Sequence, residues 1–203
     1  MRSTLAVVIA LCAAATATAQ TVTRYNILFN GKSSGSQSTR TSGGGTVDVE
    51  FTFRDNGRGP DLKEDFSLAD DGTFRHYAVR GTSTFGAAIE ETFVLDGDKA
   101  DWRSTSDRGA AKVVRPAAYV PVECSAEALA RIVRAGTKQP GGKLRALPGG
   151  ELRVEKVLDE RVEVGGKTRD ISLYSLAGLF EEPYYVGLAK EPDLALFASI
   201  SPG

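Results

Sequence analysis

The chain has 203 residues, of which 25 are basic and 26 are acidic, so its formal net charge at pH 7 is −1. The charges of both signs are interspersed, and this balance excludes the strongly basic surface with which proteins bind nucleic acid. The length and the hydrophobic content of 41% are sufficient for a single domain with its own core.

The first 19 residues have the pattern of a secretory signal peptide. Arg2 precedes an apolar run at residues 5–15, and the Ala-Thr-Ala sequence at 17–19 is typical of a signal peptidase site. The run is about 11 residues long, whereas a membrane span needs roughly 20, and no later segment is long and apolar enough to replace it. We therefore expect an exported protein, periplasmic or extracellular, with no transmembrane segment and a single β-rich domain at residues 20–203.

Cysteine usage predicts a domain without an intrachain disulfide. Cys12 lies within the predicted signal peptide, which leaves Cys124 alone. Cys124 directly precedes a predicted helix, whose free N–H groups can lower the pKa of a thiol. Because no histidine or other base follows nearby in the sequence, we interpret Cys124 as an inert buried thiol.

The segment at residues 22–106 predicts antiparallel strands. Short stretches of alternating polarity end in glycine, asparagine or aspartate, which is typical of hairpins. The clearest strand contains Val47, Val49, Phe51 and Phe53, which alternate with polar residues. Further strands are predicted around residues 25–29, 62–68, 77–79, 89–95 and 100–104. The polar stretch at 36–41 has a weaker pattern, which favours an edge strand.

Hairpins that close symmetrically about the predicted turns also predict which residues face each other. The expected pairs are Phe51 with Glu64, Tyr77 with Glu91, and Phe93 with Trp102. This register gives the sheet one aromatic face.

A short helix is predicted at about residues 125–135. Ser125 is a good N-cap, Glu127 lies in the first turn, and Gly136 follows the last turn. Leu129, Ile132 and Val133 share one face. Because about 11 residues do not hold a helix in water on their own, this face must pack against the protein, and the aromatic sheet face is the expected partner.

The region after the helix returns to strand patterns, at residues 152–164, 171–174, 184–188 and 194–200. The predicted fold class is therefore mainly β: a strongly twisted antiparallel sheet, resembling a half-barrel, with one short α-helix across its concave face.

Chemistry-bearing residues are few. His76 is the only histidine, which excludes a histidine-rich metal centre and leaves a serine or cysteine triad only this one imidazole. The register places His76 on the exposed face near Glu90, as a solvated side chain or, less favoured, as a His76–Glu90 dyad. We predict no catalytic residue, metal ligand or cofactor.

Glu64 and Glu91 fall on the apolar stripe of their strands, where a lone carboxylate is costly to bury. One interpretation places both near strand ends, in reach of solvent. The alternative is a ligand cavity in which they are polar points. That cavity would be lined by Phe51, Phe53, Glu64, Phe66, Tyr77, Glu91, Phe93, Trp102 and Ser104, and covered by Leu129, Ile132 and Val133.

Several turn and strand motifs resemble a known family. They are Tyr-Asn-Ile-Leu-Phe at 25–29, Asn-Gly-Arg-Gly-Pro at 56–60, Glu-Thr-Phe at 91–93, Ala-Asp-Trp at 100–102, Leu-Pro-Gly-Gly-Glu at 147–151 and Phe-Ala-Ser-Ile-Ser-Pro at 197–202. Over nearly the whole mature chain they resemble the β-rich region ahead of the catalytic barrel in secreted bacterial amidohydrolases of the imidazolonepropionase-like group. In that family a His-x-His pair and further histidines of the barrel hold the metal, and no position here matches them.

The resemblance implies an exported, non-catalytic accessory domain that packs against a catalytic amidohydrolase module. A looser similarity to periplasmic half-barrels of the lipoprotein-carrier type implies an alternative, in which the chain carries an apolar, lipid-like small molecule between the aromatic sheet face and the helix. An enzyme in its own right is the least favoured interpretation.

Overall fold

The computed structural model describes residues 20–164, 166–179 and 182–189. The predicted signal peptide and the predicted strand at 194–200 lie outside these residues. The protein is mainly β, with a strongly curled, half-barrel-like sheet and one helix, so the predicted fold class is confirmed.

The first sheet is an antiparallel meander of eight strands, each paired with the next. Asn30 and Gly31, both at positive φ, join the first two strands, as a two-residue hairpin turn requires. The strands are β1 (Thr21–Phe29), β2 (Lys32–Thr41), β3 (Thr46–Phe53), β4 (Asp61–Leu68), β5 (Phe74–Thr82), β6 (Ala88–Asp96), β7 (Lys99–Arg103) and β8 (Arg108–Lys112).

The polar strand β2 lies inside this sheet, between β1 and β3, so its predicted edge position is wrong. Gln37 and Thr39 are buried, and they tolerate burial because their side chains are hydrogen-bonded. Gln37 Nε2 donates to Thr39 Oγ1 at 3.2 Å, and Gln37 Oε1 accepts from the backbone N–H of Glu127 at 3.3 Å. The polar pattern of β2 therefore belongs to an interior strand, whose buried polar side chains have hydrogen-bond partners within the protein.

The register agrees with one of the three predicted pairs. Phe93 pairs with Trp102, as predicted, but Phe51 pairs with Leu62 and Tyr77 pairs with Phe93. The other two predictions, Phe51 with Glu64 and Tyr77 with Glu91, are therefore each wrong by two residues; Glu64 pairs with Val49 and Glu91 with Val79.

Turn geometry explains both shifts. The β3–β4 link closes around Asn56 and Gly57, which are both at positive φ, rather than around the middle of the longer predicted turn. The β5–β6 link closes around Phe85, because the Ser83 N–H donates to the Ala87 carbonyl at 2.8 Å. A shift of two residues preserves the face on which each side chain lies, so the aromatic face survives both errors.

The second sheet has five strands in the order β13-β12-β11-β10-β9. They are β9 (Ala117–Tyr119), β10 (Lys143–Leu147), β11 (Glu151–Val164), β12 (Lys167–Ala177) and β13 (Tyr184–Ala189), and a 3₁₀ turn (Pro140–Gly142) precedes β10. Strands β9 and β10 are parallel, because the helix forms the crossover connection between them. The sequence patterns predicted β11, β12 and β13, but not the short strands β8, β9 and β10.

The helix α1 (Ala126–Thr137) begins where it was predicted and ends two residues later. Ser125 Oγ accepts from the Ala128 N–H at 3.2 Å, as an N-cap does. Gly136 lies inside the helix rather than after it, against Val154 of β11. The helix packs on β11 and β13, and on its other side it meets Gln37 of β2 and Gly72 of the β4–β5 turn. It therefore lies between the two sheets, in the core.

Candidate functional site

Two carboxylates in the middle of the first sheet are buried. Glu64 of β4 is 3% exposed and Glu91 of β6 is 2% exposed, so the interpretation that both reach solvent near strand ends is wrong. Both lie on the apolar face, and both side chains find hydrogen-bond donors there. We call these two glutamates the buried carboxylate pair.

Glu64 accepts three hydrogen bonds. Tyr77 Oη donates to it at 3.1 Å, and both the backbone N–H and the hydroxyl of Ser125 donate to it. Burial raises the pKa of Glu64 to about 7, although these hydrogen bonds act in the opposite direction. Glu64 therefore joins β4 to the N-cap of α1.

Glu91 connects β6 to the segment that precedes Ser125 in the chain. Tyr119 Oη donates to Glu91 Oε1, and the Val122 backbone N–H donates to Oε2 at 3.1 Å. Burial raises the pKa of Glu91. Among the described residues, neither carboxylate of the pair has a basic partner. The pair thus fastens the linker at residues 120–125 to the first sheet through neutral donors.

The aromatic residues around the pair pack on one another. The Phe93 ring is stacked on Tyr119, with centroids 4.4 Å apart and planes 9° from parallel. Phe66 and Phe74 lie edge to face at 5.2 Å, and Phe74 and Tyr77 are 5.1 Å apart. These rings are buried, so the aromatic face is covered by Tyr119 and its neighbours from the linker.

The structure gathers only part of the predicted ligand-binding set around this face. Phe66, Tyr77 and Phe93 lie together in the core with Glu64 and Glu91, and Phe51 is half-buried beside that core.

Phe53, Trp102 and Ser104 complete the predicted set on the sheet, and each also has a partner outside the buried aromatic cluster. Phe53 meets Phe29 of β1 at 5.8 Å. Trp102 is half-buried and, like Phe51, packs against the core, while its indole N–H donates to Asp107 at 3.0 Å. Ser104 lies in the turn that contains Asp107, where it accepts from the Asp107 N–H at 3.0 Å.

On the helix, Ile132 and Val133 are buried and Leu129 is half-buried, and all three pack with the core. Sequence reasoning missed Tyr119 and Ser125 as partners of the buried carboxylate pair. The hydroxyl of Tyr119 in an otherwise apolar strand was the available signal, because a buried tyrosine needs a hydrogen-bond partner.

The histidine dyad predicted as the less favoured alternative is wrong. His76 Nε2 lies 2.9 Å from Asp65 Oδ1 on the half-exposed face of the sheet. Glu90 pairs instead with Arg80 in the register, because His76 pairs with Val94.

Cys124 is a free thiol in the linker. Burial raises the pKa of the Cys124 thiol, and the carboxylate of Glu64 acts in the same direction. A raised pKa disfavours the reactive thiolate. Within residues 20–164, 166–179 and 182–189, no group of three or more His, Cys, Asp or Glu side chains is arranged to hold a metal ion. No helix in that part of the chain combines the length and the apolar character of a membrane span.

Two surface features remain. A cavity of about 280 Å³ lies between the last turns of α1 and the end of β4, and we call it the basic cavity; it is lined by Leu68, Gly72, Arg131, Arg134, Ala135, Thr137 and Lys138. A second depression of about 220 Å³ lies over β2 to β5, among acidic and basic side chains that include Arg40, Asp48 and Lys63.

Comparison of the chain with protein-family models, with curated protein sequences and with solved structures finds no match. The described fold places the protein in a class by its architecture: it is a β-domain of two sheets with a helix buried between them.

Proposed function

We propose that this chain is an exported, non-catalytic β-domain that packs against a catalytic partner, as its resemblance to the accessory region of amidohydrolases implies. The buried carboxylate pair supports this proposal, because its oxygens accept hydrogen bonds that hold the linker in place. Such carboxylates serve the fold rather than a substrate.

The observation that carries the proposal is an exposed apolar surface at the tip of the β5–β6 hairpin. Phe85 is 82% exposed at this tip, and Val122 in the linker is 65% exposed. The two segments are adjacent, since the Glu123 carboxylate accepts a backbone hydrogen bond from Thr84. Exposed apolar side chains that adjoin one another mark protein interaction sites. We call this surface the Phe85–Val122 patch.

The test is a binding measurement between purified residues 20–203 and a purified amidohydrolase catalytic barrel from the same organism. We expect Phe85→Ser to weaken binding by roughly tenfold or more, because burying a phenylalanine side chain contributes about 1.5–3 kcal/mol. Val94→Ser on the exposed face of β6 is the matched control and should leave the affinity unchanged. Absence of binding by the unmodified domain, or equal binding by Phe85→Ser, would refute the proposal.

A second candidate function is the carriage of an apolar ligand between the sheet and the helix. The basic cavity favours it, because it opens between these two elements and Leu68 connects its wall to the core. The aromatic rings of Phe93 and Trp102 would then contact the ligand once it displaced Tyr119.

The carrier function predicts that the protein copurifies with lipid or binds a fluorescent fatty acid. Phe93→Ala and Trp102→Ala should each abolish that binding, whereas Val94→Ala, on the exposed side of β6, should retain it. A protein that binds no fatty acid at all, or one whose binding survives Phe93→Ala, does not act as this carrier.

A further inference from the structure

We propose that the outer edge of β11 binds a second copy of this chain, so that two copies form a symmetric dimer. The contact segment is residues 155–161, which we call the β11 edge. The two segments run antiparallel, with Leu158 on the two-fold axis. This inference depends on neither candidate function above, because the β11 edge belongs to the second sheet and to neither the Phe85–Val122 patch nor the basic cavity.

The β11 edge has no neighbouring strand on its outer side among the described residues. β10 pairs with β11 only as far as Arg153, and a Cβ on Gly142 of the 3₁₀ turn would lie 1.8 Å from the Val154 carbonyl oxygen. The free edge therefore begins at Glu155, and every side chain of residues 155–161 is exposed. An edge of this kind presents unpaired backbone N–H and C=O groups, which another strand can bind.

Two large apolar side chains lie at the centre of the β11 edge. Val157 is 48% exposed and Leu158 is 43% exposed. The register with β12 passes from Lys156 to Leu158, which leaves Val157 as the extra residue of a bulge. In a two-fold dimer the same surface meets itself, so Leu158 on the axis contacts its own copy. This gives the contact an apolar centre with charged side chains around it, as is usual for protein interfaces.

The charged residues on the two sides of Leu158 are complementary. When Leu158 lies on the axis of an antiparallel pair, Glu155 of one copy faces Arg161 of the other, and Lys156 faces Glu160. The two-fold symmetry repeats each of these contacts. Opposite charges that face each other across two strands stabilise the pairing, whereas like charges destabilise it. The order of charges in this segment therefore favours its own copy as the partner.

The neighbouring registers lack this complementarity. With the axis moved to Val157, Glu155 would face Asp159. With the axis moved to Asp159, the two Asp159 carboxylates would face each other and Glu155 would face Glu163. With Leu158 on the axis, the remaining pair is Val157 with Asp159, so no like charges meet. Charged side chains and a bulge protect an edge strand from unspecific pairing, and here the order of the charges selects one arrangement.

The charged side chains are available for these contacts. Glu160 has no ion pair with any described residue. Surface ion pairs within one copy contribute little to stability, so they do not oppose the dimer. Three such pairs involve the β11 edge: Glu155 with Arg153, Lys156 with Asp159, and Arg161 with Asp170. A guanidinium has five donors, so Arg161 can bind a second carboxylate while it keeps the first.

The size of the contact predicts a weak dimer. Residues 155–161 are far fewer than the roughly 20–30 residues a side of a standard interface. We therefore expect a dissociation constant in the micromolar range. Because the contacts around Leu158 are charged and exposed, the dimer should weaken as the salt concentration rises.

The test is sedimentation velocity of residues 20–203 at concentrations from the low to the high micromolar range. We expect a reversible equilibrium of monomer and dimer. Glu160→Lys and Lys156→Glu each place like charges opposite each other at both symmetric positions, so each should weaken the dimer by roughly tenfold or more. Glu90→Lys, at an exposed position of β6, is the matched control and should associate as the unmodified protein does.

An equimolar mixture of Glu160→Lys and Lys156→Glu distinguishes a broken contact from a damaged fold. In the mixed dimer the two substituted side chains face each other with opposite charges, and the native contact of Lys156 with Glu160 remains at the symmetric position. The mixture should therefore dimerise nearly as well as the unmodified protein, although neither variant does so alone.

Leu158→Asp provides a second comparison if either charge variant does not fold, because it brings two carboxylates together on the axis. A protein that stays monomeric at every concentration would overturn the proposal. So would a dimer that Glu160→Lys and Leu158→Asp leave unchanged, or a mixture that associates no better than its components. Each of these results would leave the Phe85–Val122 patch unaffected, since that patch shares no residue with the β11 edge.

Discussion

Replacement of Glu64 by glutamine should remove most of the pH dependence of stability that this buried group causes. Glutamine has nearly the same shape and keeps one oxygen to accept hydrogen bonds from Tyr77 and Ser125, but it does not titrate. The comparison of the two proteins therefore isolates the charge of Glu64 from its packing.

The size of the expected change in unfolding free energy follows from the pKa of Glu64, which burial raises from 4.5 to about 7. The folded protein holds the proton more tightly than the unfolded chain does, so this stabilisation is complete below pH 4.5 and is lost as the pH rises through 7. The difference corresponds to about 3 kcal/mol of unfolding free energy. The raised pKa of Glu91 adds a loss of the same sign in both proteins.

The assay is urea unfolding at pH values from 4.5 to 8, followed by the fluorescence of Trp102, the single tryptophan. The unfolding free energy of the unmodified protein should fall by about 3 kcal/mol more over this range than that of Glu64→Gln. Glu90→Gln, at the exposed neighbour of Glu91, is the control and should follow the unmodified protein. Parallel pH curves for Glu64→Gln and the unmodified protein would show that Glu64 titrates normally, and the reasoning from burial would then be wrong.

Two further substitutions test the packing around the helix. Gly136→Ala should destabilise the protein by about 1–3 kcal/mol in urea unfolding, because its Cβ would lie 2.4 Å from Val154 Cγ2; Gly149→Ala, which meets nothing within 4 Å, should change stability little. Tyr119→Phe should cost about 1–3 kcal/mol, because it leaves an oxygen of buried Glu91 without its hydroxyl donor; a loss that is no larger at pH 8 than at pH 4.5 would argue against a charged Glu91.

Local signals in the sequence were sufficient to predict the longer strands and the helix, but not the short strands β8, β9 and β10. The alternation around Val49 predicted β3, and the Ser125 cap with its apolar helix face predicted α1, because each signal lies within a few residues of the element it defines. The turn at Asn56 and Gly57 was also local, but a longer run of turn-forming residues hid its centre, and this displaced the predicted register by two residues.

The errors about burial have a different cause, since they depend on partners distant in sequence. Gln37 is buried because its side chain accepts from the backbone of Glu127, 90 positions away. Glu64 is buried because Ser125, 61 positions away, donates to it twice. Without the position of the linker, the pattern could only indicate that a carboxylate on an apolar stripe needs a partner or solvent.

The same linker connects the features to which we assign a function. The buried carboxylate pair holds the backbone of this linker in place: the Val122 N–H donates to Glu91, and the Ser125 N–H donates to Glu64. The Val122 side chain is exposed and forms part of the Phe85–Val122 patch. Because the N–H of Val122 bonds to Glu91, the carboxylates that cost stability in the core also fix the position of the surface that we expect a partner to bind. This coupling gives a physical reason for two buried carboxylates that are held by neutral donors in a core that aliphatic residues would fill at lower cost.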